Sequence, residues 1–486
     1  MSAIGPLKTR LLTWIVAFST AFGSGFLSLA QTGRPFAQSQ NLTPGKVIER
    51  VTCLKDESQS YALYLPSQFA PDRSWPILYG FDPGARGVRP VERFKEAAEK
   101  YGYIVVGSNN SRNGPGVPLS QIIAALFEDT RSRFPLDEKL VYATGFSGGA
   151  RVAGSVAQSL GDRIAGVILC GAGFSPGRPA TKPLSFPVFG IAGGEDFNWI
   201  ELRRLNRALD SVGSVNRFVT FEGDHAWPPS DFCSAAMEWM ELQAMKSGRR
   251  PRDERRIAEW FDKAVNRARA EDAAKKGYEA FSAYESIAKD FRDLRDTAEL
   301  SRRAGELRSG KDVKEGLKME RDAETAQDRR SQTFFSMREQ LKTGENRSTG
   351  MAELKGLISD LRKKAAGEAS VDRLVARRSL GLFFVSMMES STGHRFNKEY
   401  REAATDLALA AEIRPENPQV FFALARASAL GGDKRTAIES LKKAVDVGFT
   451  DADEIIGNPD FASIRNETAF KQLIETAKRK ALSPPH

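Results

Sequence analysis

Cysteine and histidine are both scarce, with three of each in 486 residues. Cys53, Cys170 and Cys233 allow at most one bridge and leave a thiol over, so the chain is no disulfide scaffold. Neither residue type falls at metal-ligand spacing, so no metal centre and no cofactor is expected. Long apolar runs are missing beyond residue 30. The one such run is "LLTWIVAFSTAFGSGFLSLA" at 11–30, preceded by Lys8 and Arg10 and ending with Ser28 and Ala30 where a signal peptidase reads. Residues 1–30 are therefore expected to be a signal peptide cleaved after Ala30. The rival is an uncleaved anchor, since 11–30 is just long enough to span a bilayer. After processing, no stable membrane span remains in the sequence, and the expected location is periplasmic or extracellular.

Clustered positive charge is missing too, although the net charge is +9. Residues 31–248 hold 23 basic and 22 acidic side chains, and 249–486 hold 46 and 40, so the surplus is spread among acids. A nucleic-acid groove needs Lys and Arg gathered around aromatic platforms, and no such cluster occurs. No nucleic-acid partner is expected.

What is present divides into two halves. Short apolar, β-branched runs alternate with helix-length amphipathic runs up to about residue 248. Strands are predicted in "QSYALYLP", "PILYGFD", "YIVVGSN", "KLVYATGF", "IAGVILCGAG", "FPVFGIAGGED" and "NRFVTFEG". Helices are predicted over 90–101, 119–134, from 149 onward, 199–212 and 232–246. This alternation predicts an α/β architecture, a doubly wound and mostly parallel sheet with helices on both faces. The connector "SGRRPRDERR" at 247–256 marks a boundary, beyond which strand-like runs stop. A charged helical region is expected over 249–372 and an all-α helical-repeat domain over 373–486. Residues 300–350 carry so much charge that a long exposed helix or a partly disordered stretch is expected there.

One serine stands among glycines: Gly145-Phe146-Ser147-Gly148-Gly149 matches G-x-S-x-G. It follows the apolar strand "KLVYAT" and opens a helical run, the strand–turn–helix setting of a nucleophile elbow. A serine hydroxyl needs a base. His486 is the last residue and His394 lies in the tail, so only His225, just after the last predicted strand, can serve Ser147. An imidazole base needs an anionic partner. Glu195 and Asp196 both stand at the end of the preceding strand. For the oxyanion hole, Gly148 N–H is one donor by position. The other is expected from the turn after "PILYGFD", from Phe81 N–H with Asp82 N–H behind it. A carboxylate there opposes the developing charge, so the Asp82 side chain is expected to turn away, toward Arg86.

These residues make the expected domain 31–248 resemble an α/β-hydrolase, the likeness covering about 45–248. "GFSGGA" at 145–150 and "GDHAWPP" at 223–229 resemble, more narrowly, the secreted esterases that include polyhydroxybutyrate depolymerases, feruloyl esterases and acetylxylan esterases. Tyr79-Gly80-Phe81 replaces that group's usual His-Gly, and Asp224 and Pro229 stand where its glycines are common. Gly193-x-x-Asp196 is similar to the acid turn of the α/β-hydrolases, which implies Asp196 as the third catalytic residue, with Glu195 in reserve. The order Ser147, Asp196, His225 is the nucleophile–acid–base order of that fold. The resemblance implies an exported serine hydrolase acting on carboxylic esters without metal or cofactor. Asn109, Asn110 and Arg112 in "SNNSRNGPG" are candidate substrate contacts or turn formers. Trp227 either binds a ring or packs beside His225. Only a short loop separates Cys170 from Phe186, leaving no room for a large cap, so an open site is expected.

In the tail, Ala403, Leu407 and Ala410 recur 34 residues later as Ala437, Leu441 and Ala444. With Phe421, Leu424 and Ala425, the stretch 375–446 resembles the tetratricopeptide repeat. That resemblance implies a protein partner for the tail. The alternative function is a weak or inactive hydrolase-like scaffold that binds proteins.

Overall fold

The computed structural model describes residues 42–177, 181–343 and 347–482. The expected signal peptide lies outside them. Among the described residues, no helix is long and apolar enough to cross a membrane.

Eight strands form one sheet: β1 (Val47–Thr52), β2 (Ser60–Tyr64), β3 (Trp75–Phe81), β4 (Ile104–Ser108), β5 (Leu136–Phe146), β6 (Gly166–Cys170), β7 (Val188–Gly193) and β8 (Asn216–Phe221). Their spatial order is β1-β2-β4-β3-β5-β6-β7-β8. β2 runs antiparallel to both β1 and β4, and every other neighbouring pair is parallel. β3, β4, β6 and β7 are buried along their whole length, which is why they read as continuous apolar runs rather than as alternating ones.

Alternate side chains enter two cores. Leu78, Tyr142, Ile168 and Phe189 face α1 (Val88–Tyr101) and α5 (Ser230–Lys246). Ile77, Ala143, Val167 and Val188 face α2 (Leu119–Arg133), α3 (Gly148–Leu160) and α4 (Trp199–Ser211). The predicted helices match these to within two residues at each end. β1 escaped prediction: VIERVT is a partly exposed edge strand with charges in its middle.

The apolar core runs across the 247–256 connector. Trp260 of α6 (Glu254–Ala273), with Phe281 and Ile287 of α7 (Gly277–Asp290), joins the same cluster as Phe94 and Met237. Trp239 Nε1–H also donates to Asp290 Oδ1 at 2.8 Å. After α8 (Ala298–Arg308) comes α9 (Lys311–Thr343), the long helix at the charged stretch. It is anchored rather than free: Phe334 stacks on Phe383 of α11 (Val371–Phe396) at 3.9 Å, and Arg338 forks onto Asp406 at 2.9 and 2.7 Å. α10 (Arg347–Ala365) fills the angle between them with Leu354, Ile358 and Leu361.

In α12 (Tyr400–Ile413) and α14 (Lys434–Asp446) the two sets of recurring residues are all buried, so the 34-residue spacing places like packing positions on alternate helices. In α13 (Pro418–Leu430), between them, Phe422 rather than Phe421 is the fully buried aromatic, stacking on Phe449 at 4.1 Å. The tail ends in α15 (Ala452–Gly457) and α16 (Thr468–Leu482).

Candidate active site

Ser147 sits where β5 turns into α3, with φ 53° and ψ −120°. That positive φ is costly for a residue with a Cβ, and the fold over-determines it. Ser147 N–H donates to Cys170 O at 2.8 Å. The flanking glycines answer to close approach: a Cβ on Gly145 would stand 2.1 Å from Gly149 O, and one on Gly149 would stand 2.1 Å from Phe81 O. Strand and helix meet there backbone to backbone, leaving the serine hydroxyl projecting. This strand order with this elbow decides the architecture. The fold is that of the α/β-hydrolases.

His225, in the loop after β8, lies 2.9 Å from Ser147 Oγ through Nε2 and 2.9 Å from Asp196 Oδ1 through Nδ1. The pattern assigns the Nδ1–H tautomer, with Nε2 free to accept from the serine hydroxyl. The ring is clamped between Phe146 at 4.6 Å and Phe197 at 4.2 Å. Asp196 is fully buried in the turn after β7. Its Oδ1 also accepts Asn198 N–H at 2.8 Å. Burial pushes the Asp196 carboxyl above its ordinary range, against the opposing pull of His225 and Asn198.

Glu195, the reserve acid, points elsewhere: Arg377 binds both of its oxygens, at 2.7 and 2.8 Å. Phe81 ends β3 with its side chain buried, and the Phe81–Asp82 peptide packs on Gly149. The Asp82 carboxylate turns to Arg86, with Nε–Oδ1 at 2.8 Å, as the sequence reading anticipated. Trp227 Nε1–H donates to Asp82 Oδ2 at 2.8 Å. That indole is buried beside Phe146, whose ring in turn packs on His225.

Asn109 and Asn110 are not brought to the triad. Their carboxamides pin the β1–β2 hairpin, Asn109 to Glu49 O at 3.0 Å and Asn110 to Ser60 N–H at 2.8 Å and Ser58 O at 3.0 Å. With Arg112 they line a hollow of about 300 Å³ that no triad residue lines. The next residue in that loop, Asn113, does reach the site: a Cβ on Gly148 would meet its Oδ1 at 1.8 Å.

The site is less open than expected, because the second half of the chain supplies a wall. Arg378 of α11 donates to Gly194 O, Gly381 packs on Phe197, and Gln327 of α9 donates to Phe197 O at 3.1 Å. Farther along α11, Glu389 accepts from Asn113 Nδ2 at 3.4 Å. Opposite it Arg151 is held by Glu201 at 2.8 and 2.9 Å. None of the α9 and α11 residues carries a motif, and nothing in the sequence marks them as neighbours of a serine some 180 to 240 positions earlier. Among the described residues, no group of three or more His, Cys, Asp or Glu could hold a metal ion. All three cysteines are buried and free.

No family model matches the chain, and no curated protein matches it. Several solved structures are similar over part of the chain. FphF, a fluorophosphonate-binding serine hydrolase of Staphylococcus aureus, is 15% identical, with 37% of this chain and 92% of that one covered and a TM-score of 0.32. A ferulic acid esterase is 16% identical, with 40% and 95% covered and a TM-score of 0.32. Est1E from Butyrivibrio proteoclasticus is 14% identical, with 40% and 98% covered and a TM-score of 0.32. Likeness this distant leaves the chemistry to be read from the residues themselves.

Proposed function

We propose that this chain is a serine hydrolase that cleaves carboxylic esters through an acyl-enzyme. The single observation that carries this is the imidazole of His225 bridging Ser147 and Asp196 at 2.9 Å on either side. His225 Nε2 takes the hydroxyl proton as Ser147 Oγ attacks the ester carbonyl. Asp196 holds the tautomer and stabilises the imidazolium that forms. The oxyanion is held by the N–H of Gly148 and the N–H of Phe81, with that of Asp82 in reserve. His225 then gives its proton to the leaving alcohol. Water, activated by the same imidazole, attacks the acyl carbonyl and releases Ser147.

The position of the Asp82 carboxylate supports this use of the hole, because its charge is engaged by Arg86 and Trp227 instead of facing the donors. The N-terminal run and its Ser28–Ala30 end support export, with cleavage after Ala30. The mass of the mature chain recovered from outside the cytoplasm tests that. The repeated packing positions of α12 and α14 favour a second, compatible role: a tetratricopeptide-like module that docks a protein partner.

A panel of p-nitrophenyl esters of increasing acyl length, with feruloyl and acetylated-sugar esters, tests the activity. Hydrolysis that falls by about 10⁴-fold or more in Ser147→Ala is expected. Turnover unchanged by that substitution overturns the proposal.

A further inference from the structure

Helix α11 runs along the cleft with one stripe turned to it. At 3.6 residues per turn, Arg378, Gly381 and Glu389 fall within about 80° of arc. The stripe begins on the acid turn, at Gly194 and Phe197, and ends with Glu389 beside Asn113. Asn113 in turn lies against Gly148, next after the nucleophile. The Glu389 carboxylate is therefore one side chain removed from Gly148.

Among the described residues, no cation forms a close ion pair with Glu389. The charge of Arg151 acts on Glu389, but its guanidinium is already committed to both Glu201 oxygens and to Phe174 O at 3.0 Å. The long bond from Asn113 is the only hydrogen bond to the Glu389 carboxylate among the described residues. The residue stays open to solvent, so a ligand can reach it. Surrounding protein also pushes its carboxyl above the ordinary range, against the opposing pull of Arg151. An accessible anion beside a reaction centre attracts or repels any charge the substrate brings.

We propose that Glu389 is a specificity-determining residue that selects esters bearing a cationic group near the scissile carbonyl and disfavours those bearing an anionic one. This rests on the ester-hydrolase proposal. A substrate cation would sit between Glu389 and the Ser147–His225 pair, replacing weakly held solvent and leaving the Arg151–Glu201 pair intact. A substrate carboxylate would meet the like charge of Glu389 instead.

The test uses isosteric esters and the full chain. Acetylcholine and 3,3-dimethylbutyl acetate differ in one quaternary nitrogen against carbon, and the acetyl ester of glycolate supplies a negative charge. For the wild type, kcat/KM is expected to favour acetylcholine over its neutral isostere by about three- to tenfold, carried mainly by KM, and to shrink as salt is raised. In Glu389→Gln the ratio is expected to approach one, and in Glu389→Lys the order of the cationic and glycolate esters is expected to reverse. Each variant is first checked for folding by its thermal melt. An equal cation preference in wild type and Glu389→Gln overturns the inference while leaving the ester-hydrolase proposal standing. Failure of the wild type to cleave even the neutral ester overturns both.

Discussion

Arg378, on a helix of the second half, donates Nε–H to the carbonyl oxygen of Gly194 at 2.8 Å, two residues ahead of Asp196. Its guanidinium lies 4.2 Å from the centre of the Trp199 ring, and burial lowers its pKa to about 10. Arg377 beside it binds Glu195. The acid turn is thus held from outside by a helix that follows it by more than 170 positions.

Loosening that brace is expected to act through Asp196 and His225. Arg378→Ala should lower kcat by roughly ten- to a hundredfold, the scale of a small misplacement of catalytic groups, with a smaller effect on KM. The pH dependence of kcat/KM should shift, because Arg378 contributes positive charge near Asp196. Arg378→Lys, which keeps the charge but not the planar fork, should restore part of the rate. A loss confined to thermal stability, with an unchanged pH profile, would reduce Arg378 to a packing role.

Asp82 gives a pH dependence of stability with a definite sign. Burial alone raises its carboxyl, but Arg86, Trp227 and Gly84 N–H outweigh this, and the net shift is downward. A depressed folded-state value means a contribution present above the unfolded pKa of about 4 and lost as pH falls through the folded one. At pH 7, Asp82→Asn should destabilise by about 1–3 kcal/mol, since a buried hydrogen-bonded charge is removed. Urea unfolding should find the gap between wild type and variant narrowing below about pH 4. A gap that widens toward acid would reverse the assignment.

The α/β half should not stand alone. Ending the chain at residue 248 would uncover Phe94, Tyr101 and Met237, which share one apolar cluster with Trp260, Phe281 and Ile287. It would also remove Asp290 from Trp239 and the wall from the cleft. A protein of residues 31–248 is expected to aggregate or to bind a hydrophobic dye, whereas the full chain stays monodisperse and silent. A soluble, cooperatively folded 31–248 would contradict that dependence.

Much of this was legible in the sequence, and the residues tell why. Buried parallel strands read plainly because both faces are apolar, and β5 through β8 emerged together with the helices between them. The antiparallel pairing of β2 did not, since strand direction leaves no mark on a five-residue apolar run. The scarcity of histidine left one base for Ser147, and structure brings that residue and Asp196 to it. Glu389, Arg378 and Asn113 were illegible: on a charged helix or in a polar loop they look like solvated surface, and only tertiary packing makes them neighbours of the serine. Phe421 and Phe422 are adjacent aromatics, so the repeat pattern alone could not fix which one turns inward. Asn109 and Asn110 carry the polarity of binding residues, but the edge hairpin uses it.

The most direct measurement is labelling of the folded full-length chain by a fluorophosphonate, with the modified peptide located by mass spectrometry. The account predicts one adduct, on Ser147, abolished in Ser147→Ala and strongly slowed in His225→Ala. Absence of labelling in folded wild-type protein, or an adduct that persists in Ser147→Ala, would contradict it.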